Sequence, residues 1–253
     1  MTVLSGNTIK KLDLVKNYDE KALQPCSMDV RLSNEFIVYD EMILSVDEPL
    51  TFKKFSAERV LLIPTGYNKL RWDQRTFIKQ KYRIDKIIEG GLLGTTVEYV
   101  KVPTDCVAFV TGRSSIGRLF VEIHSTAGLL DSGWEGQITL EITAKDRPVV
   151  LERNMRIGQV YYNRLDEETF KYDGKYQNQR GVVESKIYKD FEKIDTNEVK
   201  RLYLIECKNI IECANIMNCS VGDILAIFSR EGIDLSKVKQ GYIHNKTIYN
   251  IKD

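Results

Sequence analysis

Hydrophobic and polar residues alternate in several short stretches along the first two thirds of the chain. An alternation of period two is typical of strands that bury one face. Pro49, Pro64, the Gly90–Gly91 pair and Pro103 interrupt the pattern, as expected for turns between strands. Because no long helix separates these stretches, the pattern predicts a mainly β chain, either a barrel or a sandwich. The predicted strands include 42–46, 51–55, 59–63, 75–84, 95–102, 106–110 and 137–144.

The stretch 137–144 shows the alternation well. Ile138, Leu140 and Ile142 are predicted to point into the core, while Thr139 and Glu141 occupy the opposite face. This second face is polar and could line a pocket.

Helical patterns are predicted at both ends of the chain. Residues 5–24 carry a rough apolar face and end before Pro25, which cannot continue a helix. Near residue 191 the composition changes, and the patterns of 195–218 and 220–232 predict two helices. A β-hairpin is predicted within 241–253. The expected organisation is a β domain over 1–190 and a small helical appendage over 191–253.

Composition limits the classes of function. The chain has 253 residues and a formal net charge of +1, so total charge gives no argument for binding long nucleic acids or anionic membranes. The sequence contains no run of about 18 apolar residues, so no membrane span is predicted. The first residues also lack the apolar region of a signal peptide. Five cysteines without a paired framework are typical of reduced thiols. We therefore expect a cytoplasmic protein without membrane association.

Most of the candidate chemistry lies between Thr111 and Glu141. Arg113, Ser114, Ser115 and Arg118 share one short turn, and arginine forks with hydroxyls and turn amides suit phosphate. The alternative is a solvated polar turn, and the pattern alone does not separate the two.

Two carboxylates in this segment are candidates for acid–base chemistry. Glu141 could be a general base if its strand is central, because a glutamate needs partial burial to act near neutral pH; alone it could equally be a surface residue. Asp131 could bind a sugar hydroxyl or activate water, or form an ordinary turn. His124 is interpreted as structural and Trp134 as packing.

Three stretches of the sequence resemble the dCTP deaminase family, within the trimeric dUTPase-like superfamily. They are SMDVRLSNEF at 27–36, GRSSIGRLFVEIHSTAGLLDSGWEGQITLE at 112–141 and GKYQNQRGVVESKIYKD at 174–190. The resemblance covers roughly residues 1–190. It implies a distorted β-barrel or jelly roll of the dUTPase type, with a small α-helical C-terminal extension. It also implies a homotrimer with active sites between subunits.

The implied reaction is the hydrolytic deamination of dCTP to dUTP and ammonia, without zinc and with Mg²⁺ held through the triphosphate. Glu141 matches the family glutamate that activates water, Ser114 and Arg118 match residues that hold water and polarise the base, and Arg113 and Ser115 match phosphate contacts. The complete set implied by the resemblance is Glu141, Ser114 and Arg118 as catalytic residues, and Arg113, Ser115, Ile116, Gly117, Asp131, Thr139, Leu140, Gln159, Tyr172, Lys175 and Gln179 as substrate-binding residues.

Some residues depart from the family pattern. Ala144 to Asp146 replace a stretch where Asn is usual, Asn154 replaces a preferred Gly, Ser132 a common Pro, and Val182 a frequent Pro. None of these removes a matched catalytic group, although they leave room for altered turns.

Two alternatives to a simple dCTP deaminase remain. One is a bifunctional enzyme that also cleaves pyrophosphate and yields dUMP, with Asp131 helping to activate water. The other is a nucleotide-sensing protein whose residues 192–253 contact a protein partner. Besides dCTP, the candidate nucleotide ligands are dUTP and dTTP. DNA binding by this tail is not favoured, because it contains nine Lys or Arg and nine Asp or Glu residues.

Overall fold

The structure is a computed structural model that describes residues 2–40, 44–45, 48–190, 194–217, 219 and 221–233. The chain forms two compact units. The first is built from residues 1–45 and 50–185, and the second from 46–49 and 186–253.

The first unit is mainly β, and its described residues contain 13 short to medium strands. The strands are β1 (Thr2–Val3), β2 (Val15–Lys16), β3 (Met28–Tyr39), β4 (Phe52–Ser56), β5 (Arg59–Ile63), β6 (Lys86–Glu89), β7 (Gly91–Lys101), β8 (Cys106–Gly112), β9 (Val121–Glu122), β10 (Leu129–Leu130), β11 (Glu135–Ala144), β12 (Val149–Glu152) and β13 (Arg156–Arg164). Its helices are α1 (Gly6–Lys11), α2 (Trp72–Lys81), α3 (Ser114–Gly117) and a 3₁₀ turn at Glu20–Ala22.

Ten strands form one curled antiparallel sheet, in which β10, β8, β13, β3, β7, β11 and β9 are successive neighbours. β1 pairs with β13, β2 with β7 and β4 with β3. A second sheet has the order β12-β5-β6, and its β5–β6 pair is parallel. The prediction of a mainly β chain that forms a distorted barrel is confirmed in this curled form.

The core of the first unit lies between the faces of the curled sheet. Phe36, Leu140, Ile142 and Tyr162 are at most 1% exposed and belong to one apolar cluster. The burial of Leu140 and Ile142, with half-buried residues between them, confirms the alternation predicted for 137–144. Each such leucine or isoleucine contributes roughly 1.5–3 kcal/mol through burial.

Two sequence predictions in this unit are wrong. The predicted helix 5–24 ends at Lys11, because Asp13 and Asn17 adopt the left-handed conformation with φ of 52° and 62°, and Val15 then joins β2. The predicted strand 75–84 is largely the helix α2, whose first turn is closed by the Arg71 backbone N–H donating to Gln74 Oε1 at 3.0 Å. In the predicted strand 42–46, residues 42, 43 and 46 lie outside the described residues.

The second unit is helical. It contains a 3₁₀ turn at Ile187–Asp190, α4 (Thr196–Lys200), a π-helical turn at Arg201–Ile205, α5 (Ile210–Ile216) and α6 (Val221–Arg230). The helices enclose a small separate core that includes Leu202, Ile224 and Phe228. The small helical C-terminal extension is therefore confirmed.

The single helix predicted for 195–218 is wrong in detail. Cys207 adopts the left-handed conformation with φ of 55° and ends the first segment. Asn209 then caps α5, because its side chain accepts the N–H groups of Ile211 and Glu212, and Glu212 accepts the N–H of Asn209. The helix predicted at 220–232 is confirmed as α6, whereas the hairpin predicted at 241–253 lies outside the described residues.

No single helix of the described residues is long and apolar enough to cross a membrane. Only α5 and α6 taken together pass such a test, and they meet at an angle of 114°.

Candidate functional site

A candidate site is a cavity of about 510 Å³ in the first unit. Strand β11 supplies Thr139 and Glu141 from its polar face, and Asp131 follows β10. Tyr172 and Gln179, from the segment after β13, also line the cavity. The structure thus brings together five of the side chains that the sequence predicted to act on substrate.

Glu141 is held from the side by the segment that follows β9. The backbone N–H of Ser125 donates to Glu141 Oε2 at 2.7 Å, and the Glu141 N–H donates to the carbonyl of Ile123 at 2.9 Å. A backbone N–H donor fixes the direction in which the carboxylate points. Sequence reasoning missed Ser125, since a backbone amide leaves no trace in the side-chain pattern.

Thr139 lies where β11 meets the C-terminal segment of the first unit. The register of β11 against β7 shifts between Gln137 and Thr139. Gln179 Nε2 donates to the carbonyl of Gln137 at 2.5 Å, and the N–H of Val183 lies 3.4 Å from Thr139 Oγ1. The N–H of Gly181 donates to Gln137 Oε1 at 2.8 Å. Residues 179–183 therefore lie along β11 and close one side of the cavity.

Aromatic side chains form other parts of the wall. Trp134 is buried and its Nε1–H donates to the carbonyl of Tyr176 at 3.0 Å. The hydroxyl of Tyr39 accepts the N–H of Ser185 at 2.9 Å. Burial raises the pKa of Tyr39, and nearby negative groups that include Glu141 add to this effect. Tyr39 thus enters the cavity as a neutral hydroxyl. Sequence reasoning gave no functional role to Tyr39 and treated Trp134 only as packing.

A second group of predicted residues lies in the turn around α3. Ser114, Ser115, Gly117 and Arg118 are exposed, whereas Ile116 is buried in the core. None of these residues, nor Arg113, is among the described residues that line the cavity. Within one chain, the structure therefore does not bring Ser114 and Arg118 into the cavity of Glu141.

Arg113 and Gln159 lie at neighbouring positions of the sheet. Arg113 follows β8, and Gln159 on β13 is paired with Thr111 on one side and with Asp29 on the other. Arg113 Nε lies 3.1 Å from Asp29 Oδ2. Asp29, which the sequence reasoning did not single out, is only 1% exposed.

The remaining predicted residues lie apart from the cavity. The side chain of Leu140 is fully buried in the core, so only its backbone could contact a ligand. Lys175 Nζ lies over the ring of Tyr176 at 5.8 Å from its centroid.

Among the described residues, no group of three or more His, Cys, Asp or Glu side chains could hold a metal ion. Arginines and hydroxyls around α3 are residue types that suit phosphate.

The comparisons with known proteins agree with the resemblance. Residues 3–165 match the family model "dCTP deaminase-like". A "dCTP deaminase, dUMP-forming" from Methanocaldococcus jannaschii is 39% identical over 188 residues, which cover 72% of this chain and 92% of that protein. A protein of the same description from Methanococcus maripaludis is 42% identical over 191 residues, covering 73% and 91%. This chain belongs to the dCTP deaminase-like family.

One of the matching solved structures is more distant than these relatives. The "2'-deoxycytidine 5'-triphosphate deaminase from Agrobacterium tumefaciens" aligns with a TM-score of 0.46 and 19% identity, over 63% of this chain and 47% of that one.

Proposed function

We propose that the protein catalyses the hydrolytic deamination of dCTP, in which water attacks C4 of the cytosine and ammonia leaves. The observation that carries this proposal is the position of Glu141, held by the Ser125 amide in a cavity that Asp131, Thr139 and Gln179 also line. Family membership and the names of the relatives support it.

In this proposal the cavity residues take separate roles. Glu141 accepts a proton from the attacking water and transfers it to the departing amino group, and the second proton of the water ends on N3 of the uracil. The overall reaction is dCTP + H₂O → dUTP + NH₃. Asp131 binds the deoxyribose hydroxyl, and the backbone at Thr139 and Leu140 reads the base. The aromatic walls and residues 179–183 exclude bulk water, which strengthens the electrostatic interactions inside.

We propose that Ser114 and Arg118 reach the cavity from a second copy of the chain in a homotrimer, as do the neighbouring contacts Arg113, Ser115, Ile116 and Gly117. Two observations support this. The turn around α3 does not line the cavity of its own chain, and Leu119 and Phe120 beside it are 52% and 60% exposed. Large exposed apolar side chains of this kind are typical of surfaces that pack against another subunit.

Subunit sharing has a direct test. Arg118→Ala and Glu141→Gln variants are each expected to be inactive, and co-expression should restore activity because some sites then combine one intact residue from each chain. Mixed oligomers that form and stay inactive would contradict a shared site.

The triphosphate contacts proposed are Gln159, Tyr172, Lys175 and Gln179, with Mg²⁺ bound to the phosphates. Mg²⁺ neutralises phosphate charge when bound, and the protein's own donors orient the chain of phosphates.

A second activity is the hydrolysis of the product to dUMP and pyrophosphate. Two observations favour it: the relatives are described as "dUMP-forming", and Asp131 supplies a second carboxylate in the cavity of Glu141. Asp131 would then help to activate a second water. Time courses with dCTP distinguish the two: accumulating dUTP indicates deamination alone, whereas dUMP with pyrophosphate from the start indicates both activities.

We further propose that residues 1–190 form the catalytic domain and that 191–253 are a helical appendage. The separate apolar core around Leu202 and Phe228 supports this division. A chain that ends at residue 190 is expected to keep its oligomeric state and dCTP turnover. Loss of either would assign the appendage to the catalytic assembly.

A further inference from the structure

Asp29 is an unusual residue at its position in β3. It lies between Met28 and Val30, which are fully buried, and is itself 1% exposed. A buried carboxylate is costly unless charged partners compensate for the lost water. Strand pairing places Asp29 opposite Gln159 of β13, which in turn lies opposite Thr111 at the end of β8. Asp29 is therefore separated by one strand, β13, from β8, the strand that leads into the α3 turn.

Three side chains converge on a single oxygen of Asp29. Arg113 Nε lies 3.1 Å from Oδ2, Arg156 Nη1 donates to it at 3.2 Å, and Gln24 Nε2 donates to it at 3.5 Å. Arg156 Nη1 also donates to the carbonyl of Lys21 at 2.9 Å. The carboxylate thus joins Arg113 to the fixed framework of β3 and β13.

The energetics do not favour a role in stability alone. Burial raises the pKa of Asp29, and this effect exceeds the lowering by Arg113 and Arg156. At neutral pH the desolvation of the ionised carboxylate is thus not fully offset by its ion pairs. Replacing a buried ion pair with apolar residues of similar volume is often neutral for stability, so stability alone is weak grounds for a carboxylate at this position.

One edge of the Arg113 guanidinium is held by other residues of the protein, as expected for an arginine that binds a ligand with its other edge. Its Nε faces Asp29, and its Nη1 donates weakly to the carbonyl of Arg156 at 3.4 Å. Its Nη2 has no hydrogen-bond partner among the described residues, and the side chain is 26% exposed. One edge of the guanidinium is therefore fixed while the outer edge remains available to an oxyanion.

We propose that Asp29 is a positioning residue that holds the Arg113 guanidinium in the orientation for binding the triphosphate. This inference rests on the proposed function, in which Arg113 contacts phosphate. Asp29 does not touch substrate and acts through Arg113. A preoriented guanidinium loses less side-chain entropy when the phosphate binds, so the benefit of Asp29 is expected in substrate affinity.

The test is Asp29→Asn, which keeps the shape of the side chain and removes its charge. The KM for dCTP is expected to rise roughly tenfold, within the range measured for residues of one ion-pair network, with kcat little changed. Inhibition by deoxycytidine, which carries no phosphate, is expected to stay unchanged. A merely structural defect would weaken both ligands.

Glu98→Gln is the matched control. Glu98 is also buried and pairs with Arg31 Nε at 2.6 Å, but it does not contact Arg113 or line the cavity. This variant is expected to change thermal stability without changing the KM for dCTP.

A double-mutant cycle decides whether Asp29 acts through Arg113. In an Arg113→Gln background, Asp29→Asn should produce no further rise in KM. An equal rise in both backgrounds, or equal loss of deoxycytidine binding, would overturn the inference. If Arg113→Gln weakens dCTP binding and Asp29→Asn does not, the positioning role of Asp29 is refuted while the proposed function stands. A wild-type protein that neither binds nor deaminates dCTP refutes the proposed function itself.

Discussion

The Glu141→Gln variant tests the assignment of the general base. The substitution keeps an oxygen that can accept the Ser125 N–H, which lies 2.7 Å from the carboxylate in the native chain. The side chain also keeps its size on the polar face of β11, so packing against the core is unchanged. What is lost is the capacity to accept a proton from water. A positioned acid–base group contributes about 10²–10⁴-fold, which corresponds to about 2.7–5.4 kcal/mol at 1.36 kcal/mol for each factor of ten.

The assay is single-turnover release of ammonia from dCTP, with the dissociation constant of dCTP measured separately by calorimetry. The rate is expected to fall by about 10²–10⁴-fold, whereas dCTP affinity should change little. Glu135→Gln is the control, because Glu135 lies on the same face of β11, pairs with Lys101 at 3.5 Å and is not part of the cavity wall. A Glu141→Gln protein with wild-type turnover would refute the proposed base. Equal losses in both variants would point to damage to the strand.

Three further predictions address the cavity wall, the core and the dependence on pH. Tyr39→Phe removes the acceptor of the Ser185 N–H, and we expect the local stability of the 174–190 segment to fall by about 0.5–1.5 kcal/mol. The measurement is proteolysis of this segment, which should become faster; unchanged proteolysis would contradict the contact. Phe36→Ala should destabilise the first unit by about 3–5 kcal/mol in denaturant unfolding, and a cost below 1 kcal/mol would be inconsistent with a fully buried ring. Two backbone N–H groups, one from Arg59, lower the pKa of Asp85 below 3.8, so Asp85 stabilises the fold above this pH. Asp85→Asn should therefore reduce the melting temperature at pH 7, and the difference should shrink as the pH falls through the lowered pKa; a difference independent of pH would exclude this cause.

Much of the β architecture could be predicted because alternation is a local property of the sequence. The stretch 137–144 shows this, since its apolar positions are the buried ones in β11. The same local reasoning failed at 75–84, where Phe77, Ile78 and Tyr82 favour a strand. Their neighbours are Arg, Lys and Gln, which are good helix formers, and the cap at Arg71 selects the helix.

Errors at the N-terminus have a related cause. The apolar positions of 5–24 fit a helix when counted, but Asp13 and Asn17 adopt the left-handed conformation, which small polar residues accept more readily than most. Leu14 and Val15 are still buried, but Val15 belongs to the strand β2 and not to a helix. Such a break depends on tertiary packing, and the residue pattern does not specify it.

The candidate site was predictable in part for chemical reasons. Motifs identified the side chains that suit phosphate and acid–base chemistry, and the structure gathers Asp131, Thr139 and Glu141 around one cavity. Contacts made by the backbone, such as the Ser125 amide, have no sequence signal. The role of Asp29 depends on the pairing of β3 with β13. These strands are more than a hundred residues apart in the sequence, so local patterns do not predict that they pair.

The most direct test of the central claim is a product assay with purified full-length protein, dCTP and Mg²⁺. Ammonia and all nucleotide products are quantified over time, with Glu141→Gln as the parallel control. The proposed function predicts that ammonia appears in step with the loss of dCTP in the wild type and is nearly absent with the variant, whichever of dUTP or dUMP accumulates. Tight binding of dCTP without any release of ammonia would contradict it.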